Sequence, residues 1–468
     1  MIFHSVDYIV FLCVVLASYW SLNHRLQNCL LLVAGYFFYG YVHPWFLILI
    51  AASTVVDFSL ALGMQRWPER KKQLLVASVV ANLGLLSFFK YFNFFVENVR
   101  AVAAALHFPV PLPLLQIGLP VGISFYTFQS LSYVVDVYRG RLEARTNFID
   151  YATFVALFPQ LVAGPIERAA HILPQVENPR HFDPARARIG LTWMCWGFFK
   201  KLVIADNMAT ITGKIFFTRA PGFALVWVGT LAFCVQIYAD FSAYTDIARG
   251  SARLLGFELM RNFDHPYLSQ TPSEFWRRWH ISLSSWFRDY VYIPLGGNRV
   301  SAARHYFNLW FTFVLSGLWH GASWNFVIWG AYHGTLLVVY QLIERYVPWL
   351  IRSRWLTLPR MLLFFCFTNV GWLMFQEQDT GQLLRDLALR PGSDTQAQWA
   401  AASYFGALIA IYSLPLAVDT ALYVTGTYRR ARGTLPWLAV NVLVLVLLIA
   451  GVGVFRAAES GEFIYFQF

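Results

Sequence analysis

Leu315-Ser316-Gly317-Leu318-Trp319-His320-Gly321-Ala322-Ser323-Trp324 sets a histidine between two apolar runs, 306–319 and 322–344. Lipid and apolar protein both penalise a polar ring unless a partner satisfies it or a function uses it. The stretch therefore reads in two ways at once. Its flanks belong to membrane-embedded helices, and its imidazole marks a candidate functional site.

Working outward, the whole chain shares the character of those flanks. Of 468 residues, 58% are hydrophobic and 13% charged, about half the charge of an ordinary soluble domain. The expected fold class is all-α: a polytopic transmembrane helical bundle. At about 20 apolar residues per crossing, there is room for about ten to twelve spans beside short re-entrant or amphipathic helices. Apolar runs recur from 7–22 to 434–455. The run 114–138 is interrupted by Pro120 and Gly122 and reads as broken or re-entrant. Broken helices survive at membrane depth only where protein or a water-filled cavity covers the freed backbone. No fixed-period or inverted repeat is visible. Residues 1–455 read as one transmembrane domain with its core at about 114–344, followed by a tail, 456–468.

The formal net charge is +11. The basic residues cluster in short loops: Arg66, Arg70, Lys71 and Lys72; Arg345, Arg352, Arg354 and Arg360; Arg429, Arg430 and Arg432. That is the positive-inside pattern, and it argues against nucleic-acid binding. It places these loops in the cytoplasm and the tail, Phe463-Ile464-Tyr465-Phe466-Gln467-Phe468, on the opposite face. The five cysteines lie in apolar stretches without regular spacing and read as small core hydrophobes, neither a disulfide framework nor a metal site. The N-terminus lacks the basic region of a cleaved signal, so the first helix is expected to remain as an anchor.

Residues 262–304 are the most polar inner segment, with Glu274, Arg277, Arg278, His280, Arg288 and Asp289 interleaved with Trp276, Trp279, Trp286 and Tyr290. The expectation is a short amphipathic helix on the cytoplasmic side, its aromatics at headgroup level. On it Glu274 pairs with Arg277 or Arg278, and His280 shares a face with Ser284. Arg277 and Arg278 either grip a phosphate through the guanidinium fork or anchor the loop. Tyr238-Ala239-Asp240-Phe241-Ser242-Ala243-Tyr244 puts polar groups in an apolar helix, with Asp240 and Tyr244 on one face. These, with Ser242, line a cavity or form a hydrogen-bond network with Arg249 or Arg253. Lys200-Lys201 precedes Asp206 and makes an ion pair with it at the interface or serves a function, Lys200 as part of a donor site; Trp279, Trp319 and Asn325 complete the tunnel or donor-site candidates. A buried imidazole can take a proton from a hydroxyl that attacks an acyl carbon; a core histidine bonded to a helix carbonyl is the alternative for His320. P-loop, GxSxG and HExxH motifs are absent.

Taken together, these residues resemble the membrane-bound O-acyltransferase (MBOAT) family, in its AlgI-like branch. Glu274-Phe275-Trp276-Arg277-Arg278-Trp279-His280-Ile281-Ser282-Leu283-Ser284-Ser285-Trp286-Phe287-Arg288-Asp289-Tyr290 carries the likeness, followed by Leu318-Trp319-His320-Gly321. Gly122–Gln129, Phe158–Pro165 and Asp240–Asp246 support it; Ala243 departs from the glycine usual in relatives. The resemblance implies a central tunnel, His320 as catalytic histidine and His280 as its companion. It implies an acyl-CoA donor, acetyl-CoA above all, as substrate with no bound cofactor, in a bacterial inner membrane. It implies Tyr465 as an acyl acceptor in the tail, a periplasmic SGNH-type partner, and an envelope polysaccharide such as alginate as final acceptor. An interfacial aromatic anchor is the other reading of the tail. A transporter or flippase for an envelope lipid or glycan is the competing function class, and a scaffold for a polysaccharide synthase is a third.

Overall fold

The structure is a computed structural model of the chain. It describes residues 1–108, 110–115, 118–162, 164–218, 220–427, 435–457, 461 and 463–464. Among them every regular element is helical, as the sequence leads one to expect.

The first helix, α1 (Val6–Tyr19), starts where the Ser5 hydroxyl accepts the Tyr8 N–H, satisfying one of the amides that a helix start leaves without a partner. After α2 (His24–Gly40), α3 (Phe46–Arg66) and α4 (Lys71–Leu86) form a hairpin across the basic turn. A π-type turn, Ser87–Tyr91, carries α4 into α5 (Phe92–Ala105). Residues 106–122 are not helical in their described part. Gly122, at φ 81°, turns the chain into α6 (Ile123–Tyr138); this left-handed conformation suits a residue without Cβ. The run 114–138 is thus broken at Pro120 and Gly122, as expected. Short buried helices follow: α7 (Phe148–Ala156), α8 (Phe158–Leu161) and α9 (Ala169–Glu177). Then come α10 (Pro184–Phe199), α11 (Asp206–Phe216) and the 32-residue α12 (Phe223–Leu254).

Among the described residues, six helical stretches are long and apolar enough to cross a membrane: 46–66, 68–105, 223–254, 324–346, 354–376 and 396–424. Val6–Tyr19 and Val444–Phe455 are shorter apolar helical stretches, whereas α6 is polar because protein surrounds it. All but two of the 16 residues of α6 are buried, among them Ser124, Thr127, Gln129, Ser130 and Ser132.

α10 and α12 cross through small residues. A Cβ on Gly190 would lie 2.8 Å from the Gly250 carbonyl oxygen, and one on Gly250 would lie 2.5 Å from that of Gly190. Between helices in lipid, close backbone approach supplies attraction that the hydrophobic effect does not. Only Cys234 of the five cysteines is buried; Cys13 and Cys366 are exposed on the bundle surface, so they are not core residues.

The turns sort into two ends. Lys71 lies over the Tyr138 ring, 5.3 Å from its centroid, and Arg139 donates to the Asp289 carbonyl. This joins the basic turn at 66–72 to the segment after His280. At the other end, Asp394 accepts the Ala224 N–H, and the Trp324 indole donates to Asn98. Arg429, Arg430 and Arg432 lie outside the described residues.

Candidate functional site

Residues 257–292 make the bend that builds the site. α13 (Pro272–Arg278) starts at Thr271, whose hydroxyl accepts the Glu274 N–H, and α14 (Ile281–Phe287) follows at once. His280 sits between them at φ 42°, a conformation rare for residues with a side chain and typical of strained functional positions. Asn262 holds the bend on the side of His280. Its carbonyl accepts the Ile281 N–H at 3.0 Å, and its Oδ1 accepts the Ser282 hydroxyl at 2.6 Å. Ser282 Oγ in turn accepts the Ile166 N–H. The broken backbone is thereby satisfied by protein, as burial demands.

This corrects two expectations. The segment is not one helix, so His280 and Ser284 share no helical face; the Ser284 hydroxyl donates to the Trp279 carbonyl. Nor do its tryptophans face lipid headgroups. Trp276, Trp279 and Trp286 are 8%, 1% and 6% exposed, packed against other rings inside the protein. Trp286 stacks on Phe128 at 3.8 Å, and Trp279 on Phe275 at 5.6 Å. The expected Glu274–Arg278 pair is present at 3.0 Å.

α15 (Ala302–His320) ends on His320, and α16 (Trp324–Tyr346) returns beside it. The two pack tightly: a Cβ on Gly317 would strike the Phe326 carbonyl, and one on Gly321 the Phe326 ring. The close approach that these glycines permit is therefore taken by protein. His320 is 4% exposed and His280 fully buried. Trp319 lies between them, its ring 5.0 Å from that of His320 and 6.2 Å from that of His280. Phe241 meets His280 edge-on at 4.6 Å, and Trp329 meets His320 at 5.0 Å. Both imidazoles thus sit against aromatic walls, in apolar surroundings that strengthen local electrostatics.

A small, partly open cleft reaches His320. It is lined by Lys90, residues 119–125, Val162 and Trp319, at the end of the bundle opposite the basic turns. Lys90, in the π-type turn, donates to the carbonyls of Trp319 at 2.6 Å and His320 at 2.9 Å. A cation there offsets the negative end of α15 and fixes the backbone that carries the imidazole.

Sequence reasoning missed Lys90, Asn262 and His333. The third histidine is 3% exposed; its ring lies 4.9 Å from that of Trp329, which also meets His320, and 5.2 Å from that of Trp276, beside Gly371 of α18 (Thr357–Gln376). The rule that singled out His320, an ionisable group within an apolar run, also picks out Lys90 and His333.

The other candidates separate into groups. Asp240 and Tyr244 do share a face of α12. There Phe463 stacks on Tyr244 at 4.1 Å, and Asp240 Oδ2 accepts the Ile464 N–H at 2.8 Å. The network expected with Arg249 or Arg253 is instead one of lysines. Lys200 is buried and donates to Ser242 at 2.8 Å and Asp246 at 2.7 Å; Lys201 pairs with Asp240 at 2.9 Å and Asp206 at 3.0 Å. These pairs are interior, not interfacial. Tyr238 packs among Phe263, Tyr267 and Trp279. Asn325 ties α16 to the Glu377 carbonyl and the Thr380 hydroxyl. Arg277 is exposed, while Arg278 is engaged with Glu274 and the Asp264 carbonyl. Tyr465 lies outside the described residues. Its neighbours Phe463 and Ile464 are 0% and 1% exposed, so this part of the tail is not an interfacial anchor.

Comparisons with known proteins agree with this architecture. The model of the MBOAT, membrane-bound O-acyltransferase family, matches residues 33–376. A probable alginate O-acetylase AlgI of Azotobacter vinelandii is 38% identical over the whole of both chains. A peptidoglycan O-acetyltransferase of Helicobacter pylori is 35% identical over 76% of this chain and 72% of its own. A teichoic acid D-alanyltransferase of Bacillus subtilis is 28% identical over 54% and 68%. The chain belongs to the membrane-bound O-acyltransferase family, on the branch of its AlgI relatives, and is an O-acyltransferase of the membrane.

Proposed function

We propose that the protein transfers an acetyl group from acetyl-CoA, taken up at the basic, cytoplasmic end, toward a cell-envelope polysaccharide such as alginate at the opposite, periplasmic end, in a bacterial inner membrane. His320 is the general base and His280 its companion. Arg277 is the exposed cation nearest in sequence to His280 and the first candidate for the CoA phosphates. The observation that carries the reading is the joint arrangement of a cavity ending on His320 and a C-terminal segment bonded to Asp240, one residue from the ring that meets His280.

In the proposed step the Tyr465 phenol oxygen attacks the thioester carbonyl carbon. The phenolic proton passes to the His320 imidazole, the carbon–sulfur bond breaks, and the departing CoA sulfur takes a proton. A phenol loses its proton only near pH 10 in water, so a placed base is needed. The tyrosine ester then passes its acetyl group to a sugar hydroxyl, with a periplasmic SGNH-type partner making that transfer, and the phenol is restored. The relatives are named for different polymers, alginate, peptidoglycan and teichoic acid. This variety fits a common membrane step and a separate reading of the acceptor.

The test is CoA release from acetyl-CoA by purified protein. The proposal expects release, with labelled acetyl retained on wild type and lost in Tyr465→Phe. Movement of an envelope glycan without thioester cleavage would instead establish the transporter reading.

A further inference from the structure

We infer that Asp240, Lys201 and Asp206 form a buried clasp that docks the C-terminal segment in register, making Asp240 a positioning residue for whatever chemistry the tail performs. The use of that position rests on the acyl-relay reading; the docking itself does not.

The argument begins with charge. Two carboxylates share one ammonium: Lys201 Nζ is 2.9 Å from Asp240 and 3.0 Å from Asp206. All three side chains are at most 3% exposed. Counted formally, these three groups carry one net negative charge away from water. Such a charge needs hydrogen-bond donors, and a main-chain N–H of the tail is one of them, from Ile464 to Asp240 Oδ2 at 2.8 Å. The second anchor is apolar. The Phe463 ring is fully buried, stacked on Tyr244 at 4.1 Å and 5.7 Å from Phe241. Tyr244 is itself oriented by His4, whose Nδ1 lies 2.9 Å from the phenol oxygen.

Before that point the segment runs along the junction of α10 and α11. There Ala457 N–H donates to the Leu202 carbonyl, and Asn207 donates to that of Phe455. The bond to Asp240 uses the main chain and is indifferent to side chains, whereas the Phe463 pocket is not. Together they fix both how far the tail enters and which residue follows the anchor. Lys201, not the neighbouring Lys200, makes the clasp; Lys200 is committed to Ser242 and Asp246.

Carboxypeptidase trimming of the purified full-length protein in detergent, followed by intact-mass spectrometry, tests this. Asp240→Leu removes the acceptor but leaves Lys201 paired with Asp206, so no lone buried charge results. Removal of residues beyond Gly461 is expected to be at least tenfold faster than in wild type. Phe463→Ala provides the second variant, at a position outside the ion triad, with the same expectation. Trimming of both folded variants at the wild-type rate would overturn the clasp, even if their thermal stability fell. Faster trimming together with full polymer acetylation by Tyr465→Phe would leave the clasp standing and remove the acyl-relay reading.

Discussion

α12 and the helix over Gln396–Val424 resemble each other as sequences. They have 32 and 29 residues, and each contains a window apolar enough to cross a membrane. In the fold they are opposites: 67% of that window is buried in α12 and 6% in the other. The difference lies in where the polar groups fall. α12 carries Asp240, Ser242, Thr245, Asp246 and Ser251 between its apolar residues, and uses them on Lys200, Lys201, Asn262, Tyr8 and the tail. The peripheral helix exposes Ile411, Leu414 and Val418 instead. Average hydropathy does not separate the two helices; the density of polar residues within the apolar pattern, higher in α12, does.

Substitutions in the two regions are expected to separate accordingly. The largest effect is at the central site. His320→Ala is expected to lower acyl transfer at least about 100-fold, within the usual range for loss of a general base, while the protein still accumulates in the membrane. Initial-rate assays of CoA release check this. Lys90→Met comes next. It strips donors from the Trp319 and His320 carbonyls, a loss of about 1–3 kcal/mol for buried groups left unpaired, and a fall in activity of about tenfold is expected. Gly250→Leu should destabilise the bundle by about 1–3 kcal/mol, the usual cost of overpacking, because its side chain meets the Gly190 carbonyl. Thermal unfolding in detergent measures that loss. The matching change on the periphery, Gly406→Leu, has no neighbour within 4 Å of its Cβ. It should be neutral or stabilising by up to about 1 kcal/mol, the helix preference over glycine. Equal destabilisation by both glycine variants would undo the contrast between centre and rim.

Much of this centre was legible in the sequence. The apolar runs gave an all-helical membrane protein, Pro120 and Gly122 gave the break before α6, and an imidazole in hydrophobic surroundings pointed to His320. What remained hidden was set by contacts between distant residues. Lys90 reaches His320 across 230 positions, and Ile464 reaches Asp240 across 224. Trp276, Trp279 and Trp286, alternating with arginines, read as an interfacial belt. Asn262 turns that stretch inward at His280, and no local pattern announces such a turn. The polar content of α6 is of the same kind, because its surface faces protein.

The most direct test of the central claim is to incubate purified wild type and His320→Ala with labelled acetyl-CoA and map the label by peptide mass spectrometry. Acetyl on Tyr465 in wild type and at least 100-fold less in His320→Ala is the expected result. Equal labelling of Tyr465 in the two proteins, or acetyl on neither while wild type still acetylates polymer, would contradict it.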